Sequence, residues 1–475
     1  MPALKLRRID CTTGDTDKQL KDLREQFSSQ GLVVSHASRK LTQTVFGEAL
    51  PPAKAVARIC EDVKKRGLSA VLHYTEQFDK VRLTPKMVRV PLDQMAAAFK
   101  AAEPDFIETI RRCRNNVMQF QIGLLNNDAI LTVSEHYELQ LRFRPLNRVG
   151  ICIPGGAAAY PSTLLMTVCP AQAAGVKEIA VVMPPTANGA ENADMLAVCH
   201  ALGVKEVYRI GGAQAVAALA YGTDETPAVD IIVGPGNQFV ALAKQYVQGQ
   251  GQVAIDCIAG PSEIVVVADD SAVAEFIACD LIAQAEHSPG VAMLVTWVPE
   301  LIDDVEVELN KQLAKLSRGE LAHASLADFG AAILVKDAEE AAIAVNLLAT
   351  EHLHVQVRDP EAFADKINNA GAIFLGQFTP VALGDYAAGP SHVLPTGGQA
   401  RFASGLNAND FRRRTSVMSY TRNGLRDIAD DVIYLANKEG LSGHAASIEL
   451  RLRDLIPTPR PPKKVPPKPA LPAKK

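Results

Sequence analysis

From residue 148 onward the chain repeats one pattern: a short β-branched run, a glycine-bearing turn, then an alanine-rich helical stretch. The runs fall at 149–153 (VGICI), 178–183 (EIAVVM), 206–210 (EVYRI), 229–233 (VDIIV) and 263–268 (EIVVVA), with helical segments such as 162–174 and 213–221 between them. Strands and helices alternating about every 30 residues require right-handed crossovers and a parallel sheet covered on both faces. The alternation continues through a helix at 272–286, a strand at 291–297, a helix around 300–316, a strand at 331–335, a helix at 338–349 and a strand at 372–375. The economical reading is two α/β domains, one inserted in the other.

The flanks differ. Residues 1–46 are polar and mixed in charge, 52–66 space Val56, Ile59, Cys60 and Val63 at helical intervals, 93–124 continue helically, and 128–145 alternate like a hairpin. Residues 422–453 form a last helical piece. The final nineteen residues, 457–475, hold eight prolines, six Lys/Arg and no acid, which predicts an extended, disordered tail. The whole chain of 475 residues carries −4, so −10 resides outside that tail, and this argues against a basic nucleic-acid-binding surface. Eight scattered cysteines without a C-x-x-C pair fit buried thiols in a reducing compartment. The N-terminus turns acidic before any apolar stretch, and no uncharged apolar run reaches membrane-spanning length. The expectation is a cytoplasmic protein with no membrane and no nucleic-acid partner.

Ligands of doubly wound sheets bind at the carboxyl ends of strands. Four unusual turns are expected there: IPGGAAAYPS from Ile153, GGAQ at 211–214, GPGNQF at 234–239 and AGPSE at 259–263. Glycine admits close backbone approach, and the following helix N-termini offer N–H groups to an anion such as a pyrophosphate. The dinucleotide fingerprint G-x-G-x-x-G is missing, since Phe239 stands where the third glycine would be. Nucleotide binding and plain turn geometry therefore both remain open from the residues alone. Gln284 and His287 (AQAEHSP) leave one face of a predicted helix. Glu351-His352, Asp385, His392 and His444 lie in other loop-like or helix-end segments, and such a set of imidazoles and carboxylates suits Zn²⁺ if the fold gathers it. His73, His136, His200, His323 and His354 read as surface or locally bonded residues.

The motifs VGICIPGGAAAYPSTLLM, GGAQAVAALAYGT, VDIIVGPGNQFV, AIDCIAGPSE, DLIAQAEHSPG, EHLHV, GDYAAGPSHVLPT and EGLSGH, in that order, resemble the histidinol dehydrogenase family over about residues 10–455. The resemblance implies a homodimer of α/β subunits with two incomplete Rossmann-like domains built on parallel sheets, and small N- and C-terminal helical domains used in dimerisation. On that basis 1–46 is an N-terminal dimerisation segment, 47–148 with 269–405 a first α/β domain, and 149–268 a second. Residues 406–456 then reach the partner subunit, and 457–475 is the tail. The implied reaction is oxidation of L-histidinol to L-histidine through L-histidinaldehyde, with NAD and one Zn²⁺ per subunit.

The resemblance further implies zinc on Gln284, His287, Asp385 and His444. It implies substrate contacts from Ser262, Gln284, His287, His352, Asp385, Glu439 and His444, and NAD contacts from Gln214 and Asn237. Glu351 and His352 become the acid–base pair, His352 for the hydride steps and Glu351 for activating water. One departure is Cys152, at a position where the family usually has a tyrosine against the cofactor. Three rivals compete: a paralogous NAD- and zinc-dependent dehydrogenase of another small polar alcohol, an aldehyde dehydrogenase using Cys152 or Cys257 as nucleophile, and an inactive scaffold.

Overall fold

The computed structural model describes residues 2–13, 16–27, 42–156, 158–258, 260–287 and 290–453, and the expected tail at 457–475 lies outside them. The chain divides into two compact units, one of residues 1–125 and 145–413, the other of 126–144 and 414–475.

The first unit holds two parallel sheets. One runs Glu206–Tyr208, Glu178–Val182, Arg148–Cys152, Ile231–Val233, Ala254–Ile255 from edge to edge. Counted along the chain this is the order 3-2-1-4-5, the doubly wound arrangement without its sixth strand. The other runs Gly330–Leu334, Gly290–Thr296, Ser262–Ala268, His352–Gln356, Ala372–Leu375, the same order again, with Arg7–Asp10 added beside Gly330–Leu334. Burial explains the β-branched runs. Every residue of Gly290–Thr296 and Arg148–Cys152 is buried, because helices cover both sheet faces.

Several expectations need amending. The polar N-terminal stretch supplies the edge strand Arg7–Asp10, anchored by buried Leu4, Leu6 and Ile9. Residues 93–124 form two helices, Leu92–Ala101 and Pro104–Gly123, since a proline begins the second. Helices within 47–148 pack on the layer of the five-stranded sheet. Val56, Ile59, Cys60 and Val63 of the helix Pro52–Arg66 bury against Ala217, Val216 and Ile232 of the five-stranded sheet's layer, and Met95 and Val117 join Leu164 and Val181 there. The hairpin does form, as the antiparallel pair Ala129–Ser134 and Tyr137–Pro145. It belongs to the second unit, where Arg412–Tyr420 adds a third strand and the helices Arg422–Lys438 and Ser442–Leu452 pack together.

The eight cysteines form no disulfide, and six are buried. No helix among the described residues is long and apolar enough to cross a membrane.

Candidate active site

Gln214, Asn237, Ser262, His287, Glu351, His352 and Asp385 line one cavity of about 1630 Å³. Residues far apart in sequence are thus brought together by the two sheets. The sheets present opposite ends to it. The first contributes the segments just after its strands: Ile153–Gly156, Gly211–Gln214 and Pro235–Asn237. The second contributes the residues just before its strands: His287 before Gly290, Glu351 before His352, and Pro261 before Ser262. The AGPSE turn was expected at a carboxyl end and lies at an amino end instead.

On the first side the turns are held tightly. Gly234 has φ +101°, and a Cβ there would lie 2.3 Å from the Cys152 carbonyl oxygen, so only glycine fits. Beneath it the Lys244 ammonium and the Asp256 carboxylate form an ion pair with both side chains almost wholly buried. Lys244 Nζ donates to the Gly234 carbonyl at 3.0 Å while Asp256 Oδ2 accepts the Gly234 N–H at 2.7 Å. The pair therefore grips both polar groups of one glycine. Asn237 Oδ1 caps the helix Gln238–Gly249 by accepting the N–H groups of Phe239 and Val240 at 3.0 and 3.2 Å. The helix Gly212–Tyr221 starts from Gly211 with no side-chain cap, and its first turn faces the cavity with buried Gln214. Glycine walls and open helix N–H groups fit a dinucleotide's phosphates.

The second side carries the titratable groups. One residue, Glu263, orients two of them through its backbone. Its N–H donates to Glu351 Oε2 at 2.8 Å and its carbonyl accepts from His352 Nδ1 at 3.0 Å. A proton on Nδ1 leaves His352 Nε2 as a bare acceptor. Burial pushes the His352 imidazole down to about 4, and His287 and His392 add to this by charge. Burial pushes the Glu351 carboxyl well above the usual carboxylate range, opposed by the Glu263 N–H and reinforced by Glu263 and Asp385. The Glu263 carboxyl itself is raised by burial to about 7 while accepting the Gly397 N–H at 2.8 Å.

Asp385 is raised by burial to about 6, and its carbonyl accepts from His392 Nδ1 at 3.1 Å. His392 is lowered to about 4 by burial, with His287 nearby adding to the effect. His287 has its surface open to the cavity, yet the protein around it, and then Arg318, hold it below the ordinary histidine value. Gln284 is buried one turn before His287 and its amide Nε2 has no hydrogen-bond partner. A neutral imidazole and a buried carboxyl in this lining fit a cation's donor set, and Gln284, which is not in the lining, would add to it only through its amide oxygen Oε1. Among the described residues no group of three His, Cys, Asp or Glu side chains forms such a site alone. Glu439 and His444 belong to the second unit, both exposed, and are not part of the lining.

Sequence reasoning gave Glu263 no role and His392 only a place among the imidazoles that could suit a metal. Glu263 acts through its peptide, which no side-chain pattern announces, although it stands inside the AGPSE motif. The Cys152 and Cys257 thiols are both pushed up to about 12, foremost by burial. Neither is poised as a thiolate nucleophile.

Comparison with known proteins places the chain further. Residues 49–452 match the histidinol dehydrogenase family. The chain is 53% identical over 454 residues to a histidinol dehydrogenase of Rhodopirellula baltica, covering 95% of this chain and 98% of that one. It is 45% identical over 401 residues to one from Halalkalibacterium halodurans, covering 84% and 94%. The crystal structure of histidinol dehydrogenase from Elizabethkingia anophelis superposes with a TM-score of 0.84 at 33% identity, covering 94% of this chain and 98% of that chain.

Proposed function

Because the chain belongs to the histidinol dehydrogenase family, and is thereby an oxidoreductase of histidine biosynthesis, we propose that it oxidises L-histidinol to L-histidine by four electrons, through L-histidinaldehyde. The balance requires two NAD⁺ and one water, and yields two NADH. Gln214 and Asn237 would hold NAD, whose nicotinamide accepts the hydride in both oxidations. Gln284, His287 and Asp385, completed by His444 of a second copy, would hold a zinc ion that serves as a template for the substrate's amine and imidazole nitrogens.

His352 Nε2 takes the hydroxyl proton as hydride leaves the carbinol carbon, and burial keeps this imidazole unprotonated until then. Glu351 takes the proton of the water that adds to the aldehyde, since its buried carboxyl has a high proton affinity. Ser262, together with Glu439 from the second copy, steadies the substrate. The observation that carries the reading is the pairing of Glu351 and His352 on the backbone N–H and carbonyl of one residue, Glu263, inside a cavity walled by glycine turns.

A homodimer with shared sites accords with the second unit, which exposes Met418, Tyr434, Leu435, Leu441 and Leu450. The enzyme is expected to work in the cytoplasm, without nucleic acid.

The test is NADH formed per L-histidinol consumed, before and after chelation. Two NADH, lost with chelator and restored by zinc, is the expected result. One NADH per substrate would replace the reading with a simple alcohol dehydrogenase. No turnover by metal-loaded protein would favour a paralogue acting on another alcohol.

A further inference from the structure

Asp79 ends the helix Leu68–Asp79 and lines the same cavity, far along the chain from the glycine turns and the histidine segments. Its Oδ2 is buried and has no hydrogen-bond partner. Burial alone raises its carboxyl to about 6, so at neutral pH it sits ionised and unsatisfied. Such a group is costly to keep and calls for a donor from outside the chain.

Its neighbours in the lining define that donor's carrier. Pro51, Pro52, Ile59, Phe78, Phe239 and Leu242 are apolar. Phe239 and Leu242 stand on the helix that Asn237 caps, and they share one apolar cluster with Phe78. A flat apolar body bearing hydroxyl donors suits this corner, and the adenosine half of a dinucleotide is such a body. Doubly wound sheets ordinarily supply the ribose-binding acid at the carboxyl end of the second strand. Here that strand, Glu178–Val182, runs into Met183-Pro184-Pro185 and offers none.

We propose that Asp79 receives the adenosine ribose hydroxyls of the dinucleotide and, by its negative charge, rejects a 2′-phosphate, making the chain selective for NAD over NADP. This rests on the dinucleotide reading of the glycine turns. It assigns a specificity-determining carboxylate to a helix outside the sheet.

The experiment is calorimetric binding of ADP-ribose and of its 2′-phosphate to the purified protein, which needs no turnover and no metal. Wild type should prefer ADP-ribose by at least tenfold. Asp79→Asn and Asp79→Ala should bind ADP-ribose about tenfold more weakly, the loss expected for a hydrogen bond to a charged group, and should shrink the preference to within about threefold. Asp79→Glu should keep it. An unchanged preference in Asp79→Asn and Asp79→Ala would overturn the proposal, and so would an equal loss for both ligands, which would place the contact on the adenine. Wild type binding neither ligand would overturn the dinucleotide reading itself, an outcome distinct from a variant without effect. Thermal melts of each variant confirm that it is folded.

Discussion

Glu351 and His352 are held by the backbone of one residue, Glu263, yet their proton affinities are shifted in opposite directions, and this separates their contributions in experiment. Glu351→Gln preserves shape and the hydrogen bond from Glu263 while removing the proposed base. Turnover to histidine should fall about 100-fold or more, and the NADH count should move from two towards one per substrate as aldehyde accumulates. A count that stays at two at an undiminished rate would exclude Glu351 from the water step. At Asp79 the sign of the stability effect is informative. Its folded value of about 6 lies above the ordinary 3.8, so the native state binds the proton more tightly than the unfolded chain. Stability from this group is fully present below about pH 4 and is lost as pH rises through 6. Asp79→Asn should therefore melt higher than wild type at pH 7, by a margin worth about 3 kcal/mol at most, and match it near pH 4. A variant that melts lower at both pH values would mark Asp79 as structural.

At the scale of elements, the buried pair Lys244–Asp256 is the sharpest target. Lys244→Met strands the Asp256 carboxylate and should cost about 3–5 kcal/mol, seen as a lowered denaturation midpoint. Adding Asp256→Asn should recover part of that loss, because the remaining groups are neutral. An unchanged midpoint in Lys244→Met would show that the turn does not depend on the grip. The elements also show what the sequence could and could not announce. Strands such as Gly290–Thr296 were legible because full burial on both faces forces near-continuous apolar runs. His352–Gln356 (HLHVQ) was not, although all five residues are buried. Its central polar residue is satisfied in place: His354 Nδ1 lies 2.9 Å from Asp280 Oδ2 and Nε2 is 2.9 Å from the Gly376 carbonyl, and Gln356 Nε2 donates to Asp280 Oδ2 at 3.0 Å. A strand whose polarity is cancelled by partners far along the chain has no hydrophobic period to read. Glu263 was hidden for a different reason, since it acts through its backbone, while Gln284 and His287 were singled out by an expected helical spacing that the structure ends at Ala285, leaving His287 in the following turn.

For the molecule as a whole, the proposed sharing of sites between two copies predicts complementation. His444→Ala and Glu351→Gln subunits, each inactive with itself, should regain about a quarter of wild-type activity when dissociated, mixed and reassembled, because half the dimers are hybrids with one intact site. No recovery among verified hybrids would mean that each subunit builds its site alone. Removing 457–475 should leave turnover unchanged in the standard assay. The two sheets, facing the cavity from opposite strand ends, also give it an electrical heading. Helix N-termini point in from one wall, at Gly212 and Gln238, and helix C-termini from the other, ahead of His287 and Glu351. Their fields run in the same sense across the gap, positive towards a phosphate and negative towards an ammonium or metal cation. A ligand set that is anionic at one end and cationic at the other is favoured in one orientation once it lies between the walls, and added salt should weaken that preference.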